Sequence, residues 1–223
     1  MLGKVDDESL SRLVAVTGPA GSSNGVLAAA VASVRSAAAG SCAVILVEGV
    51  SDRGAIEALA ARRGRNLSQE GVFVVPMGGA TNIGHFADLF GPRGLGARLA
   101  GLCDAGEEAV FRRGLERAGL RPGPARADLE RLGFYVCVAD LEDEMIRSLG
   151  TAMIEQLIAA QGELSSFRTF CQQPAQRDRS RERQLRRFLG ARSGRKAHYA
   201  RVLAEALDLT RVPRPLDRVL AHV

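Results

Sequence analysis

Carboxylates stand directly after three apolar runs in this chain, and an all-oxygen cluster of that kind is the ligand set of a hard divalent cation. Glu48 follows Val44-Ile45-Leu46-Val47, Asp104 follows Leu99-Ala100-Gly101-Leu102-Cys103, and Asp140 follows Tyr135-Val136-Cys137-Val138-Ala139. Each has further acids close behind it: Asp52 after Glu48, Glu107 and Glu108 after Asp104, and Glu142, Asp143 and Glu144 after Asp140. One such pair is equally well a solvated loop acid beside a residue that favours a helix dipole. Three occurrences imply more if the fold gathers them, because crowded like charges are costly unless cations neutralise them. Magnesium or manganese is the cation this chemistry favours.

The elements that must position these acids are legible from patterning. Cys42 to Val47 has no polar interruption and reads as a central strand buried on both faces. Ser51 is placed to cap a helix over about 51–63, with Ala55, Ile56, Leu59 and Ala60 facing inward. A second strand is expected over Val72–Pro76, a turn at Gly78-Gly79, and a helix capped by Thr81 or Asn82 running to Leu89. The third strand spans Ala97–Cys103 and the fourth Phe134–Ala139, each followed by a helix, with a Pro/Gly break at Arg121–Pro124. Alternation of this kind implies a mostly parallel sheet of about four strands flanked by helices, with equivalent strand ends on one edge. In open α/β sheets that edge is where ligands bind.

The flanks are helical. Residues 9–40 read as two helices joined by Gly18–Gly25, a stretch without the Gly-Lys-Ser/Thr ending of a nucleotide phosphate loop. Beyond 145, Met145, Leu149, Met153, Leu157 and Ile158 form a packing stripe. An Arg-rich segment covers 177–187, and Ser193-Gly194-Arg195-Lys196 opens a helix to Leu207 with Tyr199, Val202, Leu203 and Ala206 inward. The expected organisation is an N-terminal helical segment (1–40), a catalytic core (41–147) and a basic helical extension (148–223).

Composition narrows the class. With 223 residues, 46% of them apolar and 25% charged, the chain has ordinary globular make-up. It has no apolar run long enough to span a membrane and no leader-like start, so a cytoplasmic protein is expected. Cys42, Cys103 and Cys137 fall in expected strands and Cys171 in a helix, none in a Cys-x-x-Cys pair, so they read as buried thiols rather than zinc ligands. His85, His198 and His222 are scattered, without ligand spacing. The net charge of +5 divides unevenly: residues 168–223 hold 13 Arg and one Lys against 5 acids, whereas the rest carries a balance of −4. An acidic core beside a basic tail suits a metal-dependent enzyme acting on a polyanion.

Val47-Glu48-Gly49 with Ser51-Asp52, the Gly-Gly turn, Asp104 and the acids after the fourth strand resemble a Toprim domain, the fold of topoisomerases, bacterial primases and several nucleases. Glu48–Asp52 together with Gly194-Arg195-Lys196 most resembles the nuclease half of OLD-family (overcoming lysogenisation defect) endonucleases. The resemblance implies a Toprim-like, Rossmann-like core with a two-metal nuclease site holding Mg²⁺ or Mn²⁺, with Ca²⁺ as an inactive substitute. On it, Glu48 and Asp52 match the first acidic pair, Asp104 the first acid of an Asp-x-Asp motif, and Asp140, Glu142 and Glu144 the later acidic group. Lys196 matches a basic residue that stabilises the transition state. Gly106 stands where the second Asp of Asp-x-Asp belongs, and Glu107 or Glu108, or the Glu142–Glu144 group, is left to fill that place. The ATPase half of OLD proteins has no counterpart in this sequence, so such a partner would act in trans.

Phosphodiester hydrolysis of DNA is the expected activity, RNA not being excluded by the sequence. Arg179, Arg183, Arg186, Arg187 and Arg195 would contact flanking phosphates with little sequence dependence. Aromatic content of 4% with no Trp leaves little for base stacking. Two rivals stand beside this reading. One is a weakened or inactive Toprim module that binds nucleic acid or a partner ATPase. The other is a nucleotidyl transferase or primase-like enzyme, for which no nucleoside-triphosphate motif is evident.

Overall fold

The structure, a computed structural model, describes residues 21–36, 42–191 and 193–223. The expected helix within 9–20 lies outside them, as do Gly18 to Ala20.

Four parallel strands form one sheet: β1 (Ala43–Val47), β2 (Val72–Pro76), β3 (Arg98–Cys103) and β4 (Phe134–Val136), in the order β2-β1-β3-β4. Ala43 pairs with Val72 on one side and with Arg98 on the other, which makes β1 a central strand. Its side chains alternate between two apolar clusters: Ala43, Ile45 and Val47 face one, Val44 and Leu46 the other. That is why its sequence has no polar position.

Helices cover both faces. On the side of Val44 and Leu46 lie α1 (Gly21–Ser36), α3 (Ile83–Phe90), α4 (Glu108–Arg117) and α5 (Arg126–Arg131). The other face carries α2 (Val50–Arg62) and the α-helical remainder: α6 (Leu141–Leu149), α7 (Thr151–Ala160), α8 (Leu164–Gln172), α9 (Pro174–Arg177), α10 (Arg181–Gly190), α11 (Ser193–Ala206) and α12 (Arg214–His222). The basic extension is therefore packed into the core of this face through Ile154, Phe167, Leu185, Leu203 and Leu216.

Several local expectations give way to tertiary packing. α1 begins at Gly21, inside the stretch read as a connection, because Leu27, Ala30, Val31 and Val34 are buried at helical spacing and override the poor helix propensity of glycine. β4 stops at Val136, since β3 ends at Cys103 and leaves the next residues of β4 without a ladder partner. Cys137 and Cys42 thus lie just outside strands, though all four thiols are buried. Helix α2 starts at Val50, so Ser51 is inside its first turn. Asp52 does the capping by accepting the Gly49 N–H at 2.9 Å. Neither Thr81 nor Asn82 caps α3: a 3₁₀ turn, Ala80–Asn82, leads in, and Asn82 donates to the Met77 carbonyl at 2.9 Å. Gly150 (φ 77°) splits the expected apolar stripe, and Ile154 is buried where Met153 is exposed. Helix α5 follows the Pro/Gly break and was not expected from the pattern.

Candidate metal centre and its basic wall

The chain leaves β1 for β2 on one side, and β3 then pairs on the other side of β1. The carboxyl ends of β1 and β3 therefore bound a topological switch point, the crevice in which open α/β sheets bind ligands. Glu48 is the first residue after β1 and Asp104 the first after β3. The Asp104 N–H reaches Glu48 Oε1 at 3.4 Å. Gly78 (φ 73°) and Gly79 (φ 130°) occupy left-handed backbone, which bulkier residues resist. This turn brings the Gly79 N–H to the Glu48 carbonyl at 3.1 Å and holds the backbone of Glu48 in place.

Lys196 arrives from far along the chain. Helix α11 lies along α2 closely enough that a Cβ on Gly54 would stand 3.9 Å from the Ala197 carbonyl oxygen. At the other end of the pair the Arg62 guanidinium caps α11, donating to the carbonyls of Ala204 and Leu207. This places Lys196, in the first turn of α11, with Nζ 3.3 Å from Glu142 Oε1. The geometry is that of an ion pair rather than a hydrogen bond, so Oε1 stays buried with no hydrogen-bond partner among the described residues.

Electrostatics mark the same group. The Asp104 carboxyl is pushed up to about 7, first by burial and then by Glu48, Asp140, Asp52 and Glu142. Burial raises Glu48 against the Asp104 N–H, with Glu107 the first acid adding to the rise. Asp52 and Glu142 are raised by burial too, opposed by the Gly49 N–H and by Lys196 respectively. Burial opposes the charge on Lys196, yet Glu142 and Asp52 outweigh it and hold the ammonium above its ordinary range.

The other candidates are placed differently. Both oxygens of Glu108 are taken, by Arg112 at 2.7 Å and Arg126 at 2.9 Å. Glu144 accepts the Val138 N–H at 2.7 Å and pairs with Arg147 at 2.8 Å. Glu108 and Glu144 are thus both already engaged by arginines, Glu144 also by a backbone N–H. Helical spacing to Arg112 and Arg147 was the sequence signal for both. Asp140 is divided: Oδ1 accepts the Asp143 N–H at 2.8 Å as the N-cap of α6, while Oδ2 accepts from Arg186 Nε at 2.7 Å. No local pattern announces that link across 46 residues.

Arg179, Arg183, Arg186 and Arg187 are exposed and line one open cleft of about 740 Å³, which Asp140, Glu142 and Lys196 also line. Arg195 lies apart from it, bonded to Glu163 at 2.9 Å with its guanidinium 4.3 Å from the Phe188 ring centroid.

The donor set suits a hard divalent cation. Its ligand atoms are carboxylate oxygens, their mutual repulsion is incompletely relieved, and among the described residues Glu142 Oε1 has the Lys196 ion pair but no hydrogen bond. Among the described residues no three such side chains stand close enough to hold an ion as they are.

Residues 41–105 match the family described as overcoming lysogenization defect protein-like, TOPRIM domain. Comparison with curated proteins gives no match. Among solved structures, the chain is similar to the C-terminal region of the Xanthomonas campestris pv. campestris OLD protein, at 25% identity and a TM-score of 0.61, covering 82% of this chain and 92% of that one. A second structure of that region gives 26% identity and a TM-score of 0.60, with coverage of 81% and 92%. The C-terminal region of the Burkholderia pseudomallei OLD protein shares the fold at 22% identity, with a TM-score of 0.59 and coverage of 81% and 95%.

Proposed function

We propose that the protein is a divalent-metal-dependent nuclease that hydrolyses phosphodiester bonds of DNA, a reading supported by the match of residues 41–105 to the OLD-like TOPRIM family. The observation that carries this reading is the continuity of acid rim and basic cleft. Glu142 and Lys196 line the same cleft as Arg179, Arg183, Arg186 and Arg187, so a bound phosphate backbone is led to the carboxylates.

Glu48, Asp52, Asp104 and Glu142 would hold Mg²⁺ or Mn²⁺, which supplies Lewis-acid relief of phosphate charge and activation of the attacking water. Asp104, poised near 7, accepts a cation or a proton with little penalty around neutrality. Lys196 keeps its positive charge and stands against the charge that develops on the phosphorus oxygens. The cleft arginines meet phosphates rather than base edges, which favours sequence-independent binding with strong salt dependence. Arg186 is bound to Asp140, so a phosphate or a cation must compete for one member of that pair.

The test is cleavage of supercoiled plasmid by the full chain with Mn²⁺, beside EDTA and Glu48→Ala. Nicking or linearisation that both controls abolish supports the reading, whereas cleavage that survives Glu48→Ala rejects the site. Loss of all cleavage with retained, salt-sensitive DNA binding would favour a non-catalytic binding module.

A further inference from the structure

We propose that a pocket beside the edge strand β4 binds a further phosphate of the nucleic-acid backbone, with Arg211 as its principal donor. The inference rests on the nucleic-acid substrate of the proposed nuclease and concerns where a second stretch of its backbone lies.

Strand β4 pairs only with β3, so its other side is an edge of the sheet. There an opening of about 400 Å³ lies between β4, α5, α6 and the start of α12. Val136 and Val138 give it an apolar wall, and four exposed arginines, Arg126, Arg147, Arg211 and Arg214, surround that wall. Its two acids are already engaged. Glu130 accepts from both terminal nitrogens of Arg214 at 2.6 Å, and Glu144 is held by the Val138 N–H and by Arg147.

Donors are left over. Arg126 reaches Glu108 through Nε at 2.9 Å, which leaves its terminal nitrogens to the pocket. The Arg211 side chain makes no hydrogen bond or ion pair among the described residues, yet its backbone is anchored twice. Its carbonyl accepts from Ser148 Oγ at 2.8 Å, and its N–H donates to the Asp208 carbonyl at 2.9 Å. Asp208, the nearest acid in sequence, turns Oδ1 to the N–H and hydroxyl of Thr210 at 2.9 and 2.7 Å. An anchored guanidinium without a carboxylate partner, over an apolar wall, suits a phosphate with its sugar alongside. Helix α6 says which phosphate. Asp140, its N-cap, and Glu142 line the arginine cleft, whereas Glu144, Arg147 and Ser148 line the pocket. A backbone lying in the cleft and continuing past the first turn of α6 reaches Arg211. Repeating phosphates supply anions to both openings, which an isolated anion does not.

Fluorescence anisotropy of labelled duplex DNA with the full chain in Ca²⁺, across a salt series, tests this without cleavage. Arg211→Ala is expected to weaken binding by about threefold to tenfold and to lower the slope of log K against log salt by about 1, with an unchanged melting temperature. Arg211→Glu is expected to weaken it further. Arg35→Ala removes an exposed arginine from α1, which packs against β2 at the opposite edge of the sheet, and is expected to bind as the wild type does. Wild-type affinity and slope in Arg211→Ala, or an equal loss in Arg35→Ala, would overturn the assignment and leave the nuclease reading, which Glu48→Ala tests by cleavage, standing. A wild-type protein that binds no DNA would overturn both.

Discussion

Two populations of carboxylate coexist in this molecule, one on the outer faces and one at the carboxyl edge of the sheet. On the outer faces, hydrogen bonds from Arg214 and Arg181 hold Glu130 and Glu155 below the usual carboxylate range, as Arg112 does Glu108 at the start of α4. At the sheet edge Glu48, Asp52, Asp104 and Glu142 are all raised, with burial the first cause in each. The chain has 30 basic residues, so neutralising partners were abundant. The outer acids are stabilising members of ion pairs, whereas the edge acids are under-neutralised at a cost to the cation-free fold. Such strain is commonly retained where a ligand relieves it.

Opposite responses to the same substitution would sharpen that contrast most. Asp104→Asn removes an edge charge without changing shape. It should lower plasmid cleavage on the order of 10³-fold, a loss comparable to that of a direct transition-state contact, while raising the melting temperature of the cation-free protein. Glu130→Gln should leave cleavage unchanged and destabilise by no more than about 1 kcal/mol, because its partner Arg214 is exposed to solvent. If the two variants behave alike in both assays, the distinction collapses.

Lys196→Ala comes next, with an expected fall in cleavage of about 10²-fold and less change in plasmid affinity measured in Ca²⁺. A drop confined to affinity would make Lys196 another cleft residue. For the cleft itself, Arg183→Ala with Arg187→Ala should weaken DNA binding about tenfold and reduce the slope of log K against log salt by about 2. Filter binding across a salt series reads both.

The smallest effect is a pH dependence whose sign differs between the populations. Asp104 is raised in the fold to about 7 from an ordinary 3.8. The stability it contributes is full below the ordinary value and lost as pH rises through about 7. The outer acids are lowered, so theirs is present above the ordinary carboxylate value and lost on acidification through their depressed range. The cation-free protein should therefore melt a few degrees higher at about pH 5.5 than at about pH 8, and Mg²⁺ should raise melting more at the higher pH. Equal stabilisation by Mg²⁺ at both would mean that Asp104 is not where the cation acts.

Much of the sheet edge was legible in the residues. Val72–Pro76 is the strand expected, and Glu48 and Asp104 each stand one residue beyond a strand. The Gly78-Gly79 turn also lies where its sequence indicates, since positive φ at both positions leaves few alternatives. Less legible was the fourth strand, because its length depends on where β3 stops. The start of helix α1 was obscured as well, since Gly21 and Gly25 argue against the turn that opens it.

The sequence by itself determined that acids follow strands and that arginines crowd the last helices, because burial on both faces and repulsion between charges write themselves into residue order. Only the tertiary structure decided which charges meet. Asp140 faces Arg186 and Glu142 faces Lys196 because helices distant in sequence pack side by side. The packing of α11 along α2 and of α10 beside α6 thereby sets the basic side chains against the acid rim.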